Sequence, residues 1–262
     1  MAEARQSDKG SSETIREAIK IDNTFKWWFI GFAEGDGSFI LNKDGYLDLK
    51  ITQSSVDAQI LFFIKKNLGF GSVSVQDKNN KTHHYRVRDK NNILKLIQIF
   101  NCNILTKYKI KVWVNGFNNK YNMNIQLLDC NHKVKLDNAW LSGFTDAEDC
   151  FSSSILTSKQ GKTTVTVRYF ISQKDDIEFS KEVATLLDGY IVHIKSYNGY
   201  NTVVNFSKLG KIINYLEKFP LKTKKLISYR RWLKIHALVK NKKHFTVEGL
   251  TVIKFIAKCI NS

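Results

Sequence analysis

Asp36 and Glu148 are the residues that this sequence best places for chemistry. Each stands at the ninth position of a twelve-residue phrase that occurs twice. The first copy is Trp28-Phe29-Ile30-Gly31-Phe32-Ala33-Glu34-Gly35-Asp36-Gly37-Ser38-Phe39; the second, 112 residues on, is Trp140-Leu141-Ser142-Gly143-Phe144-Thr145-Asp146-Ala147-Glu148-Asp149-Cys150-Phe151. The phrase reads as an apolar helix that ends in acids. A helix C-terminus carries partial negative charge, so a carboxylate there is disfavoured by roughly 0.3–1 kcal/mol. Two such carboxylates brought together repel or share a proton unless a cation lies between them. Oxygen donors without His or Cys suit Mg²⁺. One copy would read as a solvated acid leaving a helix; two in register argue for a shared site.

The elements that must position these acids follow from the repeat. Its offset exceeds the ~20–50 residues of solenoid units, which makes it a tandem duplication of a whole small domain. Gly31 and Gly35, like Gly143 and Ala147, share one helix face, and small residues at that spacing let two backbones approach closely. Phe29, Phe32, Leu141 and Phe144 point into their own half's core. In the first half, helix 25–35 leads to strands 38–41 and 46–52 around Asn42-Lys43-Asp44-Gly45, a hairpin signal. Helix 55–68, strands 71–76 and 84–88, and helix 91–100 follow. The second half repeats the order with helix 136–147, strands 151–157 and 163–172, helix 177–187, strands 190–196 and 202–206, and helix 209–218. Helices 222–239 and 246–257 close the chain. The fold class is α+β, two pseudo-symmetric αββαββα halves, each with a four-stranded antiparallel sheet. The expected organisation is a leader over 1–22, a first half over 23–111, an Asn-rich linker over 112–135 and a second half over 136–262. The polar leader has no secretory apolar stretch and reads as flexible, as an upstream fusion or as foreign to the natural chain.

Composition narrows the partner. The 262 residues carry 41 Lys and Arg against 24 Asp and Glu, a net charge of +17, with 43% hydrophobic and 12% aromatic residues. A chain this basic with an ordinary core usually faces a polyanion, most often nucleic acid. The competing reading is a solvated Lys-rich surface produced by an AT-rich genome. No run approaches the ~18 apolar residues that a membrane span needs. Cys102, Cys130, Cys150 and Cys259 form no C-x-x-C pair and read as reduced thiols. The histidines lack metal-ligand spacing, and His83-His84 reads as a hairpin tip.

The two phrases, each followed by two hairpins, resemble the paired motifs of single-chain LAGLIDADG homing endonucleases of the fungal mitochondrial type. The resemblance runs from about Phe25 to the C-terminus and includes the tail Lys240–Leu250. It implies a monomer with internal pseudo-two-fold symmetry that hydrolyses one phosphodiester per strand of a long, nearly palindromic DNA site and leaves 3′ overhangs. Asp36 and Glu148 match the metal-binding acids, with the Gly35 and Ala147 carbonyls as further candidate ligands; Mg²⁺ is the implied cofactor, and Mn²⁺ or Ca²⁺ would substitute for binding. Glu34 and Asp146 are assigned a structural role at the helix ends. Gln53 and Gln173 match the polar residue that ends the second strand. Lys107 and Lys224 match the basic residue near the scissile phosphates, with Lys225 a close competitor. Asp149 stands where the family has Gly, as at Gly37, and Gly there permits a tight turn beside the metal.

The free face of each sheet is expected to lie in the major groove, which admits a two-stranded ribbon. Alternation turns Ser38, Ile40, Asn42, Asp48, Lys50, Ser74, Gln76, Arg86 and Arg88 outward in the first half. In the second it turns out Ser152, Ser154, Thr164, Thr166, Arg168, Lys195 and Asn205, leaving open which of Val192 and His193 faces out. Arg86, Arg88 and Arg168 suit guanine. Double-stranded DNA is the partner, with the host's intron RNA as a further one. The rival functions are a group I intron maturase, which Asp149 would suit, and a DNA-binding regulator without chemistry. The resemblance and the composition point to an intron-encoded, mitochondrial origin.

Overall fold

The computed structural model describes residues 21–105, 107–128, 133–148 and 151–260, with only the backbone at 107, 108 and 197. The leader up to residue 20, Asp149 and the side chain of Lys107 therefore lie outside the described residues.

The chain is two copies of one α+β plan. The first comprises α1 (Asn23–Asp36), β1 (Gly37–Leu41), β2 (Leu47–Ser54), α2 (Ala58–Leu68), β3 (Ser72–Asp77), β4 (Thr82–Val87), α3 (Lys90–Phe100) and α4 (Lys107–Tyr121). The second comprises α5 (Trp140–Ala147), β5 (Phe151–Thr157), β6 (Thr163–Lys174), α6 (Ile177–Leu187), β7 (Tyr190–Ile194), β8 (Gly199–Asn205), α7 (Gly210–Lys218), α8 (Lys225–Lys240) and α9 (Val247–Lys258). The sheets are antiparallel, ordered β1-β2-β4-β3 and β5-β6-β8-β7. Among the described residues no helix is long and apolar enough to cross a membrane.

Local chemistry sets the ends of the elements. Asp22 caps α1 by accepting from the Phe25 amide at 2.8 Å, which meets one of the helix's unpaired N–H groups. The chain leaves α1 directly into β1 at Gly37, where a Cβ would collide with the Ala33 carbonyl. Thr246 caps α9 through the Gly249 amide at 3.1 Å. Beneath the sheets, Phe29, Leu49, Ile51 and Tyr85 are buried in one half and Phe151, Val167, Tyr169 and Ile171 in the other.

Four expectations change. Residues 112–121 are not linker but the body of α4, and Ile110, Trp113, Val114 and Phe117 are buried against the first half. Those four recur at i, i+3, i+4 and i+7, a helical stripe masked by the asparagines between them. Lys195 leaves β7 for the 3-10 turn Lys195–Tyr197. His83 and His84 lie within β4, paired with Gln53 and Thr52, not at a tip. Cys102 is disulfide-bonded, not the reduced thiol expected; spacing along the chain does not report pairing through space.

Candidate active site and nucleic-acid interface

The two motif helices cross against each other through their small residues. A Cβ on Gly31 would fall inside contact distance of the Trp140 carbonyl, and one on Gly143 would do the same to the Trp28 carbonyl. One turn on, Gly35 lies against the Ala147 methyl. The packing is reciprocal in its polar groups too. The Trp28 indole donates to Asp146 Oδ2 at 2.8 Å and the Trp140 indole to Glu34 Oε2 at 3.0 Å. Trp28 stacks on Phe32, and Trp140 on Phe144, at centroid distances of 4.9 and 5.0 Å. Glu34 and Asp146 are thus buried pins between the halves. Asp146 also accepts from the Lys222 and Thr223 amides and the Thr223 hydroxyl. Burial pushes its carboxyl up, and these donors oppose the rise.

This crossing carries the two acids to one seam. Glu148 Oε1 lies 3.7 Å from where a Gly35 Cβ would stand, beside Asp36. Gln53 Nε2 donates to Asp36 Oδ2 at 2.5 Å. Burial lifts the Asp36 carboxyl from 3.8 to about 6; the Gln53 amide and the Lys225 charge pull it down, while Glu148 and Asp146 push it up. A half-buried acid beside another acid is a setting that favours a bound cation. The donors are carboxylates, with the Gly35 and Ala147 carbonyls one residue before them, and this fits a hard divalent cation. Among the described residues no three His, Cys, Asp or Glu surround one point. Further ligands would be backbone carbonyls, water or phosphate, in keeping with Mg²⁺, which retains several waters.

Two clefts flank the seam, and both halves build each one. A cleft of about 400 Å³ is lined by Gln53 and Asp57 of the first half and by Asp146, Glu148, Thr223, Lys224 and Lys225 of the second. One of about 230 Å³ has Glu34 and Lys109 from the first half and Gln173, Lys174 and Asp176 from the second. Two neighbours of the expected lysines, one of them the competitor Lys225, reach the motif helices. Lys109 Nζ donates to the Glu34 carbonyl at 3.2 Å and Lys225 Nζ to the Thr145 carbonyl at 3.1 Å, so they are the counterparts at the motif helices. Lys224 turns to Asp57, with Nζ 3.8 Å from its carboxylate. The signal was in the chain: Leu105 and Leu221 each precede their lysine by four residues, which aligns Lys109 with Lys225.

The open faces of the sheets carry most of the outward set. Register places Ser38, Lys50, Arg86 and Ser72 in one row, and Ser152, Arg168 and Asn205 in another. Ser38, Ile40, Asn42, Ser74, Gln76, Arg88, Ser154, Thr164, Arg168, Lys195 and Asn205 are exposed; Lys50, Arg86, Ser152 and Thr166 are partly so. Val192 pairs with Asn201 in the row of Ser172, four residues from Arg168 on β6, and so takes the open face. Asp48 departs from expectation. It is only 6% exposed, because Arg86 is ion-paired on it and Arg88 Nε reaches it at 3.3 Å. Asp48 is a footing for two arginines, not a free reader of bases.

Acid-tipped helices crossing between two four-stranded sheets define a two-motif, single-chain fold of the meganuclease type. The LAGLIDADG endonuclease family model matches residues 29–118 and 141–236, and the chain belongs to that family. It is 52% identical over 263 residues to the probable intron-encoded endonuclease 4 of Neurospora crassa, covering 98% of this chain and 48% of that protein; the chain thus spans about half of that relative. It is 30% identical to the intron-encoded RNA maturase bI4 of Saccharomyces cerevisiae, over 77% of this chain and 30% of that protein. The meganuclease I-SmaMI, solved on an uncleaved DNA target with calcium ions, superposes with a TM-score of 0.76 at 22% identity, covering 90% of this chain and 99% of that one.

Proposed function

We propose that this chain is a site-specific, double-strand DNA endonuclease. It hydrolyses one phosphodiester in each strand of a long, nearly palindromic site and leaves 3′ overhangs. The observation that carries this reading is the meeting of Asp36 and Glu148 at one seam between the two sheets of a strongly basic chain, with burial lifting the Asp36 carboxyl. Asp36 and Glu148 would hold divalent cations, Mg²⁺ in the cell, which supply a Lewis acid for the phosphate and an activated water. The chain's own residues do the positioning. Gln53 orients the Asp36 carboxylate, with Gln173 at the matching place in the second cleft. Lys225 and Lys109, with Lys224 and Lys107 close by in sequence, offset negative charge at the phosphates. The open-face residues, Arg88 and Arg168 foremost, read base edges, and the surplus lysines bind phosphate without regard to sequence. The protein acts as a monomer, since one chain supplies both halves, and has an intron-encoded, mitochondrial origin. Incubation with a randomised duplex library and Mg²⁺, followed by sequencing of the ends, tests the proposal. Specific double-strand breaks support it, and Asp36→Asn or Glu148→Gln should bind the recovered site without cutting. Cutting by either variant would refute the assignment.

A second reading, binding of intron RNA as a maturase, draws on the far side of the second half. Lys222–Ser262 holds eleven Lys or Arg and one acid, Glu248. There Phe255 is 72% exposed beside Arg230 and Lys234, and unpaired bases stack on such rings. Retention of intron RNA by a protein that cuts no DNA would favour this reading.

A further inference from the structure

The two halves use one residue type at one place in the fold for different ends. Asp57 is the residue before α2, and Asp176 the residue before α6. Asp176 does what an acid in that position ordinarily does: its carboxylate accepts from the Phe179 amide of its own helix at 2.9 Å. Asp57 makes no such bond to α2. Its Oδ1 instead accepts from the Lys224 amide at 3.0 Å, and its Oδ2 lies 3.8 Å from Lys224 Nζ. Lys224 is the residue before α8 and makes no side-chain cap bond itself, while the next amide, that of Lys225, donates to the Thr223 hydroxyl at 3.2 Å. An acid of the first half thus caps a helix of the second. It leaves α2 uncapped in doing so, and its charge suits the positive N-terminal end of α8.

The next residue after that captured amide is Lys225. Its Nζ reaches the Thr145 carbonyl, and its charge acts on Asp36. Asp57, Lys224, Lys225 and Gln53 line the same cleft. We infer that Asp57 is a positioning residue, which fixes the start of α8 across the boundary between the halves and so sets Lys225 for the phosphate of one strand only. Asp176, committed to α6, makes no such tether in the other cleft among the described residues. The two strands are therefore cut by unequal machinery, and loss of Asp57 acts on one of them. This inference rests on the nuclease reading for its strand effect, but not for the tether itself.

Two measurements on the full chain decide it. In the first, a recovered target carries a different dye on each strand and is cut under single-turnover conditions. Asp57→Ala should shift the ratio of the two strand rates by roughly tenfold, the scale on which small misplacements cost rate. Asp57→Asn, which keeps an acceptor for the Lys224 amide, should recover part of the loss, and Asp176→Ala should leave the ratio within about twofold. A ratio unmoved by Asp57→Ala, or moved as much by Asp176→Ala, overturns the strand assignment. The second measurement is amide exchange, which needs no DNA. Asp57→Ala should speed exchange over 222–227 and spare 58–63, whereas Asp176→Ala should speed exchange over 177–181. Faster exchange at 58–63 and none at 222–227 would overturn the tether. If the wild-type protein cuts nothing, the nuclease reading fails, and exchange still decides whether Asp57 caps α8.

Discussion

Asp36→Asn should make the metal-free protein more stable while it abolishes cutting. Burial lifts this carboxyl from 3.8 to about 6. At ~1.4 kcal/mol per tenfold change, holding it ionised at neutral pH costs the folded state up to ~3 kcal/mol. Partial exposure and solvent screening reduce that to ~1–2 kcal/mol. The amide removes the charge and still offers an oxygen to Gln53, so little is lost in exchange. For a chain of this size each kcal/mol corresponds to roughly 2–4 °C, so in EDTA at pH 7.5 the variant should melt roughly 2–8 °C above the wild type. The sign with pH follows from linkage. A carboxyl whose folded-state pKa lies above its unfolded one holds its proton more tightly when folded, so the wild type loses stability as pH rises from about 4 through about 6. The gap between the two proteins should therefore be widest above pH 6 and close toward pH 4. Mg²⁺ or Ca²⁺ should raise the melting temperature of the wild type and leave the variant's almost unmoved. The measurement is a thermal melt across pH, with and without cation. A variant less stable than the wild type at pH 7.5, or a gap that persists at pH 4, would refute the reasoning.

Other expectations concern the seam and the reading face. Gly31→Ala or Gly143→Ala drives a methyl into a backbone carbonyl of the facing helix. Each should cost several kcal/mol, as overpacking of a rigid contact does, and denaturant titration would show it; a neutral result would mean that the helices can separate cheaply. Asp146→Ala leaves the Trp28 indole, two amides and the Thr223 hydroxyl without their acceptor. A loss of about 3–5 kcal/mol is expected by the same titration, in line with breaking a buried polar network. Arg86→Ala strips the main cation from buried Asp48 and should lower both stability and DNA affinity, whereas Arg88→Ala, at the longer and more exposed contact, should weaken DNA binding with little change in melting temperature. Binding titrations at several salt concentrations, paired with melts, would separate the two.

Much of this was legible in the chain. The repeated phrase announced two equivalent halves, because a duplicated fold keeps its acids and small residues in register where contacts demand them. Alternation in the strands gave the open faces, since successive side chains on a strand must point to opposite sides. Sequence by itself therefore determined the paired helices, the sheets and the basic character, and it put Asp36 and Glu148 at the ends of the paired helices. It could not determine which lysine reaches a helix end, because many lysines stand near each candidate and only the path of α4 and α8 brings Lys109 and Lys225 to the Glu34 and Thr145 carbonyls. Nor could it show that α4 lies where a linker was expected, that Asp48 is buried under its arginines, or that Asp57 reaches into the opposite half. Each of those depends on which surfaces meet. Periodicity records the direction a side chain leaves its own backbone, and only the folded chain supplies what waits at the other end.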